Sequence, residues 1–155
     1  MKLLALLALV VVLFIVTRPN TLPISNLNVH DMNTDSIDSA NIGECLSDKC
    51  LIIYVAPWCP ICHKITPTII ALVNEMKAEG IQVDVVVGKD KPNAVLEYAE
   101  HFPFPVALDA NGRYFYAADI EAVPYFVAIN YDGEILNEMY GGYQSVSALR
   151  NKLEI

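Results

Sequence analysis

The chain has 155 residues, 54% of them hydrophobic and 18% charged, with a formal net charge of −8. That length holds one domain, and the high hydrophobicity excludes a disordered chain. Ten basic against eighteen acidic residues, with no basic stretch, exclude nucleic acid as a partner, and four cysteines are too few for a disulfide-stapled miniprotein.

Residues 3–16 form an unbroken apolar run of 14 behind Lys2. As a helix the run covers about 21 Å, short of the roughly 30 Å hydrocarbon core. That suits the apolar part of a signal peptide. It also suits a short anchor, if Met1 and Thr17 are included and Lys2 and Arg18 snorkel. No Ala-x-Ala cleavage site follows, because the next residues are Thr17, Arg18, Pro19 and Asn20. No cysteine stands there for lipid attachment. Residues 1–17 are therefore expected to stay as a membrane anchor, with a cleaved signal peptide as the alternative. Either reading puts the remainder on the periplasmic or extracellular face, where disulfides persist. Residues 18–36 are polar, with Pro19, Pro23 and four Asn, and read as a linker. The domain is expected over residues 37–155.

Residues 50–56 (C-L-I-I-Y-V-A) are continuously apolar, as in a strand buried on both faces. Pro57-Trp58 ends the strand. Residues 62–79 have helical spacing through Ile65, Ile69, Leu72, Val73 and Met76, and Gly80 stops them. Pro67 inside predicts a kink. A strand is predicted over 82–87 and a helix over 92–101. Residues 125–130 and 134–140 read as a hairpin across Tyr131-Asp132-Gly133. Gly141-Gly142 breaks the chain before a last helix over 145–153. The pattern predicts an α/β fold with a central mixed sheet flanked by helices.

Cys59-Pro60-Ile61-Cys62 follows the buried strand and opens the first helix. Two intervening residues make one helical turn, which brings the sulfurs close enough to alternate between dithiol and disulfide. Free N–H groups and the helix dipole favour a thiolate on Cys59, and the thiolate is the reactive form. Cys62, one turn in, is the resolving thiol. Pro60 costs little at a helix start and stiffens the turn. Two other readings stand beside this one, a zinc half-site and a purely structural bridge. A zinc site would need Cys45 and Cys50 as its second pair, but the strand between spans about 20 Å. No metal or organic cofactor is called for.

Cys45 and Cys50 are expected to form a separate structural disulfide. In a helix their Cα atoms would be about 8.6 Å apart, beyond the roughly 7 Å limit for a bridge. Ser47-Asp48 between them supplies a turn. Free thiols, or a second redox pair, are the alternatives.

Residues 54–62 (Y-V-A-P-W-C-P-I-C) resemble the active-site segment of the thioredoxin superfamily. Pro67 matches that family's helix proline, Val123-Pro124 its cis-proline, and Asp132-Gly133 with Gly141-Gly142 its last two strands. The segment between Gly80 and Val123 resembles the insertion of the membrane-tethered, extracytoplasmic TlpA/ResA-like branch. The resemblance implies a thioredoxin-like fold and a thiol-disulfide oxidoreductase in which Cys59 attacks and Cys62 resolves. It implies a substrate groove built from Trp58, Pro60, Val123 and Pro124. It implies substrate protein thiols or disulfides, apocytochrome haem-site cysteines among them, and a membrane redox partner.

The family's acids are missing here: Ile53 stands six residues before Cys59, and Ile65 three after Cys62. His63 is placed to tune the thiols or relay protons, or else is an exposed helix histidine without a role. The aromatic residues around Phe102, Phe104, Tyr114, Phe115 and Tyr116 are expected mostly in the core, some lining the groove with Tyr125. The redox direction stays open. Two other functions compete, a partner-binding module with little turnover and a peroxidase of the peroxiredoxin type.

Overall fold

The computed structural model describes residues 20–34 and 38–155. The expected anchor lies outside these residues, and among the described ones no helix is long and apolar enough to cross a membrane. The elements in chain order are β1 (Ser25–His30), β2 (Asp38–Ile42), β3 (Cys50–Val55), α1 (Pro60–Ala78), β4 (Gln82–Gly88), α2 (Pro92–Ala99), β5 (Val106–Asp109), α3 (Arg113–Ala117), β6 (Tyr125–Ile129), β7 (Ile135–Tyr140) and α4 (Val146–Leu153). They build one seven-stranded sheet in the order β2-β1-β5-β4-β3-β6-β7. The β3–β4 and β4–β5 pairs are parallel, and the pairs outside them are antiparallel. The fold is thioredoxin-like, as the motif order implied.

β3 is buried along its whole length, and successive side chains go to opposite faces. Leu51, Ile53 and Val55 enter a core layer with α1, α2 and α4. Cys50, Ile52 and Tyr54 enter a second layer, closed by Leu22, Leu27, Ile42, Tyr114 and Phe115. One strand therefore nucleates both layers. In α1 the buried stripe is Cys62, Ile65, Thr66, Ile69, Leu72, Val73 and Met76. The helix runs through Pro67.

The linker reading of residues 18–36 is corrected by β1, which pairs with both β2 and β5. The sheet begins before residue 37. Only Leu27 of β1 is buried, so this edge hairpin lacks the apolar alternation that marks a strand. Its cross-strand contacts are polar: Asn26 donates to Asn41 directly opposite, at 3.0 Å. β5 and α3 also escaped the sequence reading. They are four and five residues long, too short for a period to show.

Asp84 on β4 lies in a small cavity lined by Val29, Ile42 and Ala107. Burial pushes its carboxyl up to about 6, although the Gln82 amide donates to it at 3.2 Å and Lys77 is near. A carboxyl raised in the folded state binds its proton more tightly than in the unfolded chain. Stability therefore falls as pH rises from about 4 to about 6 and stays lower above that. Asp84→Asn should raise the unfolding free energy by about 1–2 kcal/mol at pH 8, after discounting for partial solvent access. It should give no gain at pH 4. Urea titrations of both proteins at the two pH values check this.

Candidate active site

The turn after β3 delivers the motif to the start of α1. Cys59 donates its N–H to the Ala56 carbonyl at 3.1 Å and takes the N-cap position with extended backbone. Its Sγ accepts the Cys62 N–H at 3.1 Å. This is the geometry of a Ser or Asp cap with sulfur in place of oxygen, and it aims a helix-terminal donor at the atom that would carry negative charge. Pro60 fills the first helical position, where no N–H is needed. The two cysteines are closed as a disulfide, with Cα atoms 5.2 Å apart. Cys59 is 3% exposed and Cys62 is fully buried.

The other wall is the β6 approach. Val123–Pro124 is a cis bond, and the Val123 carbonyl lies 3.7 Å from Cys59 Sγ. The Pro124 carbonyl accepts the Gly141 N–H at 2.9 Å. Gly142 packs so closely on α1 that a Cβ would meet Ile65 at 2.8 Å and Ile61 at 2.9 Å. Bare backbone therefore borders the motif on this side. Trp58 is 54% exposed, and its indole N–H donates to the Lys89 carbonyl at 2.9 Å. Lys89 itself has a left-handed backbone, φ +58°, and its ammonium sits 3.8 Å from the Phe115 ring centroid. Of the four residues expected to form the groove, Trp58 and Pro60 flank Cys59 in the chain and the Val123 carbonyl lies against its sulfur, with Pro124 next along the chain. Tyr125, expected to help line the groove, is instead buried and donates to Glu138 at 2.6 Å. Phe102, Phe104, Tyr114 and Phe115 are core, and Tyr116 is exposed.

His63 holds the approach to the motif. Its Nε2 lies 2.6 Å from the Pro57 carbonyl, so Nε2 carries the proton, because a carbonyl only accepts. Its ring packs 4.5 Å from Tyr98. Tyr98 in turn shares a 2.9 Å hydrogen bond with Thr66, which donates to the Cys62 carbonyl at 2.9 Å. Ile53 and Ile65 lie in the same buried cluster as both sulfurs, so hydrocarbon stands where the resemblance implied a carboxylate.

Cys45 and Cys50 form the second disulfide, Cα atoms 5.6 Å apart, at the far end of β3. Both are buried. Sequence reasoning missed what secures this loop. The Gln82 amide donates to the Glu44 carbonyl at 2.8 Å, while its oxygen accepts the Leu46 N–H at 3.1 Å. A glutamine opening a strand carries no signal of such a fork. Asp109 and Lys89 behind Trp58 were missed for the same reason.

The Redoxin family model matches residues 23–153. No curated protein matches. Among solved structures, the chain resembles a protein proposed as the thiol:disulfide interchange protein DsbE of Chlorobium tepidum, at TM-score 0.71 and 19% identity, covering 88% of this chain and 95% of that one. A protein proposed as a thioredoxin of Neisseria meningitidis gives TM-score 0.64 and 25% identity, with 86% and 87% covered. A secreted disulfide oxidoreductase of Mycobacterium tuberculosis, homologous to E. coli DsbE, gives 0.63 and 14%, with 82% and 93% covered.

The two bridges differ in what their reduced forms gain. The Cys62 N–H and the helix terminus stabilise a thiolate on Cys59, which favours opening that bridge; Cys45 caps no helix. Mild dithiothreitol should open the 59–62 bridge first and leave 45–50 intact. Peptide mapping by mass spectrometry after alkylation checks the order.

Proposed function

The chain belongs to the Redoxin family, and on that premise we propose that it is an extracytoplasmic thiol-disulfide oxidoreductase, exchanging electrons with protein cysteines through Cys59 and Cys62. The observation that carries this reading is the Cys59 sulfur acting as N-cap of α1, accepting the Cys62 N–H. A thiolate there is stabilised by the donor that would otherwise be an orphan of the helix end.

In the reducing direction the Cys59 thiolate attacks one sulfur of a substrate disulfide. A Cys59–substrate bond forms, the substrate S–S bond breaks, and the departing thiolate takes a proton from solvent. Cys62 then loses its proton and attacks Cys59 Sγ, which forms the 59–62 bridge and releases the second substrate thiolate. Two electrons pass from the dithiol to the substrate. The reverse sequence oxidises a substrate dithiol. The reduction potential of the pair sets the direction, and dithiol proteins of this kind span about −270 to −120 mV. With Ile53 and Ile65 in the same buried cluster as Cys62, neither position offers a carboxylate to take its proton.

The groove of Trp58, Pro60, Val123 and Pro124 receives the chain that bears the reacting cysteine. The Val123 carbonyl beside Cys59 offers an acceptor to its main chain, in the manner of strand addition. His63 acts as a positioning residue, holding Pro57 two residues ahead of Cys59. Residues 1–17 tether the domain to the membrane, and a membrane redox partner restores the dithiol or the disulfide. Cys45 and Cys50 serve stability only.

Alkylation at mildly acidic pH after reduction should modify Cys59 and spare Cys62. Cys62→Ser should accumulate mixed disulfides with substrate proteins, and Cys59→Ser should abolish insulin reduction. Equal labelling of the two thiols would overturn the assignment. Peroxide consumption without insulin reduction would favour a peroxidase, and neither activity would favour a binding module.

A further inference from the structure

Three large apolar side chains stand open at the pole of the molecule away from the motif. Ile24 is 62% exposed, Leu46 74% and Tyr131 69%. They line one cleft of about 200 Å³ between the 44–46 loop and the β6–β7 turn. Their exposure is built into the fold. The 45–50 disulfide and the Gln82 fork fix Leu46. The Asn130 side-chain oxygen accepts the Asp132 and Glu134 N–H groups and shapes the turn that carries Tyr131. Gly43 admits no side chain beside Ile24, because a Cβ would lie 2.4 Å from the Pro23 carbonyl. A fixed apolar cluster in contact with water marks an interaction surface.

The course of the chain identifies what covers it. The Ile135 N–H donates to the Asn20 carbonyl at 2.9 Å, and the Leu22 N–H to the Gly133 carbonyl at 2.9 Å. Thr21 bridges Glu134 between them. Residue 20 is thus pinned beside the turn that holds Tyr131. The apolar run ends at Val16, and four residue steps reach at most about 14 Å. If residues 1–17 lie in a bilayer, this pole is held at its surface.

We propose that Ile24, Leu46 and Tyr131 dock into the headgroup layer of the membrane that anchors the chain. The proposal rests on the anchor reading given above. Tyrosine suits that layer, with its ring among the acyl boundary and its hydroxyl in water. Glu44 and Asp132 line the same cleft and are exposed, so the contact is apolar and anionic lipid opposes it. β3 is six residues long, about 20 Å, and separates this pole from the motif. With β3 along the membrane normal, docking holds Cys59 about that far above the lipid. A membrane partner meets it only through a segment that rises out of the bilayer.

Trp58 is the only tryptophan, so fluorescence reads the orientation. The full chain is reconstituted in phosphatidylcholine vesicles with acyl chains brominated near the headgroup, and retention is checked by flotation. In a Trp58→Phe background, Tyr131→Trp should give blue-shifted emission that the bromines quench. Native Trp58 should escape quenching. Leu46→Trp repeats the measurement should the first variant misfold. Flotation without quenching at 131 or 46 overturns the docking and leaves the anchor standing. Failure to float overturns the anchor reading, and the docking with it. A blue shift that appears without lipid and grows with protein concentration assigns the patch to a second copy of the chain, which also overturns the proposal.

Discussion

The buried carboxylate of Asp109 organises the catalytic end of the sheet. It accepts the Tyr54 hydroxyl at 2.9 Å, the Tyr114 N–H at 3.1 Å and the Phe115 N–H at 3.0 Å. A charge taken from water is tolerated only when its lone pairs are filled, and here a side chain of β3 and two amides of α3 fill them. Burial and Asp109 together push the Tyr54 hydroxyl well above the phenol range, so it remains a donor. The backbone of Asp109 extends the same support. Its carbonyl accepts the Lys89 N–H at 2.9 Å, and the Lys89 carbonyl accepts Trp58. Trp58, beside Cys59, is thus tied through two hydrogen bonds to the main chain of Asp109. Gly88 makes the approach possible, since a Cβ there would lie 2.2 Å from the Tyr54 hydroxyl oxygen.

The same end of the molecule shows how a helix terminus becomes chemistry. Cys59 fulfils an ordinary structural duty as a cap, and the same geometry is one that favours a thiolate. At the other end of β3, Cys45 and Cys50 form the same kind of bond. There the bridge closes a short loop, and Gln82 ties that loop to the first residue of β4. One buried strand, β3, stands between the two bridges.

What the sequence revealed was local in character. The buried run of β3, the apolar stripe of α1, the two cysteine pairs and the 131–133 turn each lie within a few consecutive residues, where periodicity and turn chemistry are sufficient. Pro124 was legible through resemblance alone. What escaped depends on distant partners. Leu27 is the only buried residue of β1, and that strand exists because β2 and β5 flank it. Asp109 reads as one more acidic residue ahead of an Asn-Gly turn until Tyr54, 55 positions earlier, is seen to donate to it. His63 was singled out for its place beside Cys62, yet the contact it makes runs back to Pro57.

Lys89 carries a left-handed backbone that costs a non-glycine residue about 1 kcal/mol or more. Glycine would remove that cost and, with it, the ammonium 3.8 Å from Phe115 and 4.8 Å from Tyr116. A half-buried cation over these rings contributes about 1 kcal/mol, so the two choices nearly balance in thermal stability. They do not balance in rigidity, because glycine also frees the carbonyl that Trp58 uses. An engineer selecting for melting temperature alone would see a neutral substitution at this position and loosen the indole beside Cys59 without any warning from the unfolding curve.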